Sequence, residues 1–145
     1  MNHIIRYIPA TLILFLLFLA GCSTPKNTRT QTGIELVFHL QRTGGNLMIA
    51  VFDNPGNFKM RKPVRTHKVP ADRKQINWVV ENLESPTFAV MCYQDLNGNA
   101  MLDREGYIPV EPWGMSNNPV LTAPPEWNQI AVNRNQTSNI HINVQ

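Results

Sequence analysis

From Gly33 onward, apolar and polar side chains alternate with a period of two, the spacing that lines one face of a pleated strand. Ile34, Leu36, Phe38 and Leu40 open the pattern, and Thr43-Gly44-Gly45-Asn46 follows with two glycines that reach positive φ at little cost. Leu47 to Phe52 then returns, so the spacing predicts a hairpin. Further strands are predicted at Val64 to Val69, at Gln75 to Val80 with Ile76, Trp78 and Val80 together, and at Thr87 to Tyr93 with Phe88, Val90 and Cys92 together. Gln129 to Asn133, with Ile130 and Val132 inward, and the strictly alternating Asn139 to Val144 complete seven strands, joined by the polar turn Arg134 to Ser138. No stretch carries the 3.6-residue period of an amphipathic helix, and no segment repeats. Seven short strands without helices to cover them predict an all-β fold, an antiparallel two-sheet β-sandwich of the immunoglobulin-like kind, with a barrel as the alternative.

Two stretches break the alternation. Residues 95–127 carry prolines at 109, 112, 119, 124 and 125 but no strand pattern, and loops of this length inside a compact domain tend to be functional. Tyr107, Ile108, Trp113, Met115 and Trp127 predict that it is ordered and folded against the strands. The other stretch is the apolar run Thr11 to Phe18, closed by Leu19-Ala20-Gly21-Cys22. From Ile8 to Ala20 there are 13 residues, broken by Pro9 and Thr11, whereas a spanning helix needs about 20. The run therefore fits a cleaved signal better than a membrane anchor. Small residues directly before a cysteine resemble a bacterial lipoprotein signal, in which residues 1–21 are removed and Cys22 becomes the acylated first residue. Several acyl chains tether a protein durably without spanning the bilayer. Ser23 after the cysteine implies sorting to the outer membrane of a cell envelope, facing the periplasm or the surface. Residues 22–32, rich in hydroxyl and amide groups, read as a flexible tether, and 33–145 as one domain.

Charge adds little. After removal of residues 1–21 the chain keeps 12 of its 13 Lys and Arg against 10 Asp and Glu, a mild excess that does not point to nucleic acid. Cys22 and Cys92 are the cysteines present, so acylation of the first leaves no disulfide framework, and Cys92 reads as a small buried hydrophobe.

The candidate chemistry lies in the long loop. Asp95, Asn97, Asn99 and Asp103 place side-chain oxygens at positions 1, 3, 5 and 9 of a tight loop, with the Met101 carbonyl at position 7, the spacing that wraps a Ca²⁺ ion. Gly98 stands at position 4 where position 6 is usual, and position 12 is Gly106, although Glu111 can reach back. The alternative is an Asx-rich turn in which these side chains cap their own backbone.

The run Thr87 to Asn99 with Leu102-Asp103, then Pro109-Val110-Glu111-Pro112-Trp113-Gly114-Met115-Ser116-Asn117-Asn118 and Pro124-Pro125, resembles the domain-of-unknown-function family 2141. The family pattern is a strand ending in Asp, then Asn-x-Asn and x-x-Asp, then Pro-x-Glu-x-x-Gly-x-Ser-Asn-Asn and a Pro-Pro pair. The resemblance covers residues 33–145 and implies a secreted or periplasmic β-sandwich similar to transthyretin-like domains, with no activity attached. This chain departs from the pattern with Phe88 for Tyr, Ala100 for the Gly common after Asn99, and an extra residue near Tyr107.

Glu111, Trp113, Ser116, Asn117 and Asn118 combine a stacking face with donors and acceptors suited to a glycan or peptide end; the alternative is that they satisfy the backbone of a long loop. Lys59, Arg61, Lys62, Arg65, Lys68, Arg73 and Lys74 face one acid, Asp72, within their segment. They make a candidate patch for anionic polymer or lipid, or a lysine-protected hairpin edge. Enzyme signatures are weak: His39, His67 and His141 are scattered over strands, and Asp103 with Glu111 is a carboxylate pair by sequence alone. The sequence thus predicts a non-enzymatic outer-membrane lipoprotein whose domain binds an envelope protein or glycan, its loop stiffened by Ca²⁺. The competing expectation is a structural envelope protein contacting anionic polymer or lipid through a basic hairpin.

Overall fold

Strands form where alternation puts apolar side chains toward a common interior. The computed structural model describes residues 33–145; the apolar run, Cys22 and the tether lie outside the described residues. β1 (Ile34–Leu40), β2 (Asn46–Phe52), β3 (Arg65–Pro70), β4 (Gln75–Val80) and β5 (Thr87–Asp95) come first, with a short helix α1 (Pro55–Lys59) between β2 and β3. Then follow β6 (Arg104–Glu105), β7 (Ile108–Pro109), β8 (Trp113–Met115), the helix α2 (Trp127–Ile130), β9 (Val132–Asn133) and β10 (Asn139–Val144). Among the described residues the fold is all-β with two short α-helices and one 3-10 turn at Arg134–Gln136, and none of the described helices is long and apolar enough to cross a membrane.

One sheet has the order β10-β1-β4 and the other β3-β2-β5-β8, with β9 also on β5 and β6 paired with β7 alone. Both large sheets feed one core: Leu36 and Phe38 of β1, Ile76 and Val80 of β4 and Ile142 of β10 join Leu47 and Val51 of β2 with Phe88 and Val90 of β5. The intervening β5 residues Ala89 and Met91 point to the opposite face, where Phe58, Trp113, Met115, Leu121, Trp127 and Ile130 cover them. Every ladder and both clusters lie within residues 34–145.

The pairing corrects several expectations. β1 and β10 run parallel, Leu36 opposite Ile140 and Phe38 opposite Ile142, so the sheets are not wholly antiparallel. A period of two fixes which face a side chain takes but not the direction of the neighbouring strand. β1 and β2 form no hairpin, because each joins a different sheet. Gly44 and Gly45, at φ 122° and 66°, carry the chain across, and a Cβ on Gly45 would lie 2.1 Å from the Asp95 carbonyl oxygen. The basic segment is likewise no hairpin, since β3 and β4 are the edges of different sheets. Gln129 and Ile130 belong to α2, whose first turn is fixed by the Glu126 N–H donating to Gln129 Oε1 at 2.8 Å; only Val132–Asn133 is strand. α1, too short to show a period, is set by Pro55 and by Asn54 accepting from the Asn57 N–H. Among the described residues there are ten strands rather than seven, the additions being pieces of two or three residues.

The registers define two ends. Ile34 lies opposite Val80, Val51 opposite Arg65 and Phe52 opposite Ala89, and Ser85 Oγ donates to the Asp53 carbonyl at 2.7 Å between the sheets. This is the proximal end, where residue 33 stands. Leu40, Asn46, Pro70, Gln75, Asp95 and Val144 mark the distal end, tied by the Gly44 N–H to the Ala71 carbonyl at 2.7 Å. Along one side the sheets are stitched: Trp113 and Gln145 exchange two backbone hydrogen bonds of 3.0 Å. Along the other, His67 of β3 stacks on Trp78 of β4 at 4.8 Å.

Candidate functional site

The long loop leaves β5 at the distal end through Asp95, which is fully buried. Its Oδ1 accepts from the Gly98 N–H at 2.8 Å and its Oδ2 from the Ala100 N–H at 3.1 Å. Asn97 Oδ1 accepts from the Asn99 N–H at 3.0 Å, and Asn99 Oδ1 from the Met101 N–H at 2.8 Å. The Asn97 and Asn99 amides then both donate to Asp103, at 2.6 and 3.0 Å. Glu111 folds back, as its position allowed: Oε1 accepts from Leu96 N–H at 2.8 Å and Oε2 from Asp103 N–H at 3.3 Å. Three carboxylates and two amides thus hold one turn with mostly main-chain donors, which satisfies backbone groups that a loop would otherwise leave unpaired. Beside it, Tyr93 has its phenol pKa raised by burial and then by the charges of Asp95 and Glu111.

The structure brings all five candidate cation residues into that turn, where the side-chain oxygens of Asp95, Asn97, Asn99 and Asp103 already accept hydrogen bonds and Met101 takes part through its N–H. Among the described residues no three His, Cys, Asp or Glu side chains converge as metal ligands.

Glu111, Trp113, Ser116, Asn117 and Asn118 do not gather into one pocket. Trp113 packs on the outer face of β5. Ser116 is buried, accepting from the Val90 N–H at 3.0 Å and donating to the Ile130 carbonyl. Asn117 Nδ2 donates to the Ala131 carbonyl at 2.9 Å. Asn118 bridges the free edge of β10, donating to the His141 carbonyl at 2.8 Å and accepting from the Asn143 N–H at 2.7 Å. Positive φ at Asn117 and Asn118, 64° and 45°, suits asparagine, whose short amide tolerates the left-handed region.

The apolar side chains of the loop divide, which corrects the expectation that all fold inward. Trp113, Met115 and Trp127 pack on the domain, whereas Tyr107 is 95% and Ile108 71% exposed at the tip of the β6–β7 hairpin. Met101 and Val110 are exposed nearby in the same loop. The sequence signal for this tip is Arg104-Glu105-Gly106-Tyr107-Ile108-Pro109, with Gly106 at φ 63° between two very short strands.

Other candidates separate as well. Lys59, Arg61, Lys62 and Arg65 lie at the proximal end, Lys68 midway along β3, and Arg73 and Lys74 at the distal end, so the seven cations form no single patch. His39 and His141 face each other with Nε2 and Nδ1 3.0 Å apart, whereas His67 stacks on Trp78. Cys92 is buried, its Sγ 3.5 Å from the Gly114 carbonyl, and burial pushes its thiol pKa strongly up, which disfavours the nucleophilic thiolate. Asp103 and Glu111 are engaged in holding the loop.

No curated protein and no solved structure matches the chain. A family model described as an uncharacterized protein conserved in bacteria, DUF2141, matches residues 36–143, which span both sheets and the Asp95–Asn118 loop. The chain belongs to the DUF2141 family.

Proposed function

We propose that this protein is a lipid-anchored component of the bacterial outer membrane, acylated at Cys22, whose domain is a β-sandwich that binds another envelope protein through the distal loop. The observation that carries the reading is the contrast within one loop: a buried carboxylate base at Asp95 and Glu111, and an apolar tip with Tyr107 and Ile108 in solvent. A tip held in place loses little freedom on binding, and aromatic and aliphatic side chains supply most of the energy of protein contacts. The tip also lies at the end opposite residue 33, which leaves it clear of the tether. No catalytic role is assigned to any residue.

The test is a photo-crosslinking residue at position 107 in intact cells, with the same residue at the distal-end position 75 as control. A discrete adduct at 107 that disappears in Ile108→Asp supports the reading; the same diffuse adducts from both positions would remove it. Anchoring is tested separately by fractionation in high salt, which screens charge contacts but leaves acyl chains inserted, and there Cys22→Ser should release the protein from the membrane.

Ca²⁺ binding is the second reading, favoured by Asp95, Asn97, Asn99 and Asp103 meeting in one turn. Half a turn of the Asn97 and Asn99 amides would present Oδ1 where Nδ2 now faces Asp103. Calorimetric heat with Ca²⁺ that vanishes in both Asp95→Ala and Asp103→Ala supports it. No heat from the folded domain leaves the hydrogen-bonded turn as the whole device.

A further inference from the structure

The turn from β2 through α1 into β3 concentrates charge at the proximal end. It is well fixed: Met60 N–H and Arg61 N–H donate to the Gly56 and Phe58 carbonyls, and Lys62 N–H closes back on Asn57 at 2.9 Å. Arg61 stands at φ 53°, the left-handed residue that ends a helix, and Phe58 packs edge-on against Phe52 at 5.6 Å. Outward, the turn presents Lys59, Arg61 and Lys62, all exposed, with Met60 among them 69% exposed. No Asp or Glu occurs from Asn54 to Ala71. Among the described residues the one ion pair is Arg73 with Asp72, so these three cations are uncompensated. The acids near this turn are Asp53, whose carboxylate already accepts from the Asn54 and Asn57 amides, and the exposed Glu81 and Glu84 of the β4–β5 link.

Residue 33 stands at the same end. A Cβ on Gly33 would lie 2.5 Å from a Val79 methyl, so the chain is held against the end of β4, and 32 residues precede it. Arg65, at the foot of the basic turn, reaches the Asn82 carbonyl just beyond β4 at 3.5 Å. The turn and the origin of the N-terminal segment therefore share one end of the domain.

We propose that this turn is a membrane-docking surface: Lys59, Arg61 and Lys62 meet the phosphates of an anionic phospholipid bilayer, and the Met60 side chain enters its interfacial layer. Exposed cations attract the surface, and a flexible apolar side chain next to them in the turn buries where headgroups meet acyl chains. The proposal rests on the anchored reading only for which membrane is met, because the contact itself needs no acyl chain. Docked this way, the domain holds Tyr107 and Ile108 away from the bilayer.

The test uses residues 22–145 carrying Cys22→Ser, which removes acylation, sedimented with phosphatidylcholine vesicles with and without phosphatidylglycerol. Binding is expected only to the anionic vesicles and should weaken with salt. Replacing Lys59, Arg61 and Lys62 together by Gln should lower affinity on the order of a hundredfold, roughly fivefold per cation. Met60→Ser should weaken binding at every salt concentration, while Arg73→Gln with Lys74→Gln should leave it unchanged. Circular dichroism of the triple variant establishes that it folds. Equal binding to both vesicle types, equal loss in the proximal and distal variants, or preference for a soluble anionic polymer that vesicles do not displace would each overturn the proposal. Failure of anchoring appears elsewhere, as membrane retention in high salt that Cys22→Ser does not change.

Discussion

Ala100 shows how one residue carries strain inside an otherwise satisfied turn. Its N–H is held by Asp95, but its φ of 59° puts the Cβ against the following carbonyl, a geometry that costs an L-residue about 1–2 kcal/mol. Glycine has no such penalty, although it loses more backbone entropy on folding. Ala100→Gly should therefore raise stability by about 1 kcal/mol, read as a rise of roughly 4 °C in the thermal midpoint. Tyr93 sets a second residue-level expectation. Burial and the Asp95 and Glu111 charges raise its pKa in the folded state, so folding favours the neutral phenol. That contribution is full below the ordinary tyrosine value near 10 and is lost as pH rises through the higher folded value. Tyr93→Phe should remove part of the stability loss in this alkaline window, measured by denaturant unfolding at a series of pH values.

At the scale of elements, the contact between β8 and β10 joins the two sheets. Gly114 makes it possible, since a Cβ there would lie 2.3 Å from the Asn143 carbonyl oxygen, a backbone atom that cannot rotate aside. Asn118 completes the closure by pairing its amide with alternate β10 backbone groups, in the manner of one further strand residue. Gly114→Ala should force β8 and β10 apart at a cost of about 2–3 kcal/mol. Hydrogen exchange would locate the effect: the Trp113 and Gln145 amides should lose protection, while the β1–β4 ladder keeps its own.

Across the whole molecule, the first and last described strands lie side by side, with residues 35 and 139 paired. Ile140, Ile142 and Val144 enter the shared core from β10, so the domain has no complete interior until almost the whole chain is present. Truncation before Asn139 should abolish the cooperative thermal transition, detected by calorimetry and by loss of the near-ultraviolet aromatic signal. Pairing at such separation must close a long loop before it gains contacts, which places refolding in the millisecond-to-second range.

Alternation along the chain is enough to give the all-β class and five of the six long strands to within two residues, because inward Leu36, Phe38, Ile76, Phe88 and Ile142 obey a local rule about faces. Val64 to Val69 also fell close to β3, although its outward side is solvated. The Asp95–Asp103 turn was legible for a similar reason: Asx side chains act on backbone groups two to five residues away. The rest is relational. The parallel partnership of β1 with β10, the crossing at Gly44-Gly45 in place of a hairpin, and the scattering of seven cations along the domain depend on residues distant in sequence. Glu111 reaching Leu96 and Asp103 straddles the boundary, since its side chain spans a gap that spacing allowed but did not fix. Local backbone preferences and side-chain periodicity are written within a few residues, whereas strand partners are chosen by the burial of a shared core, a property of the whole chain.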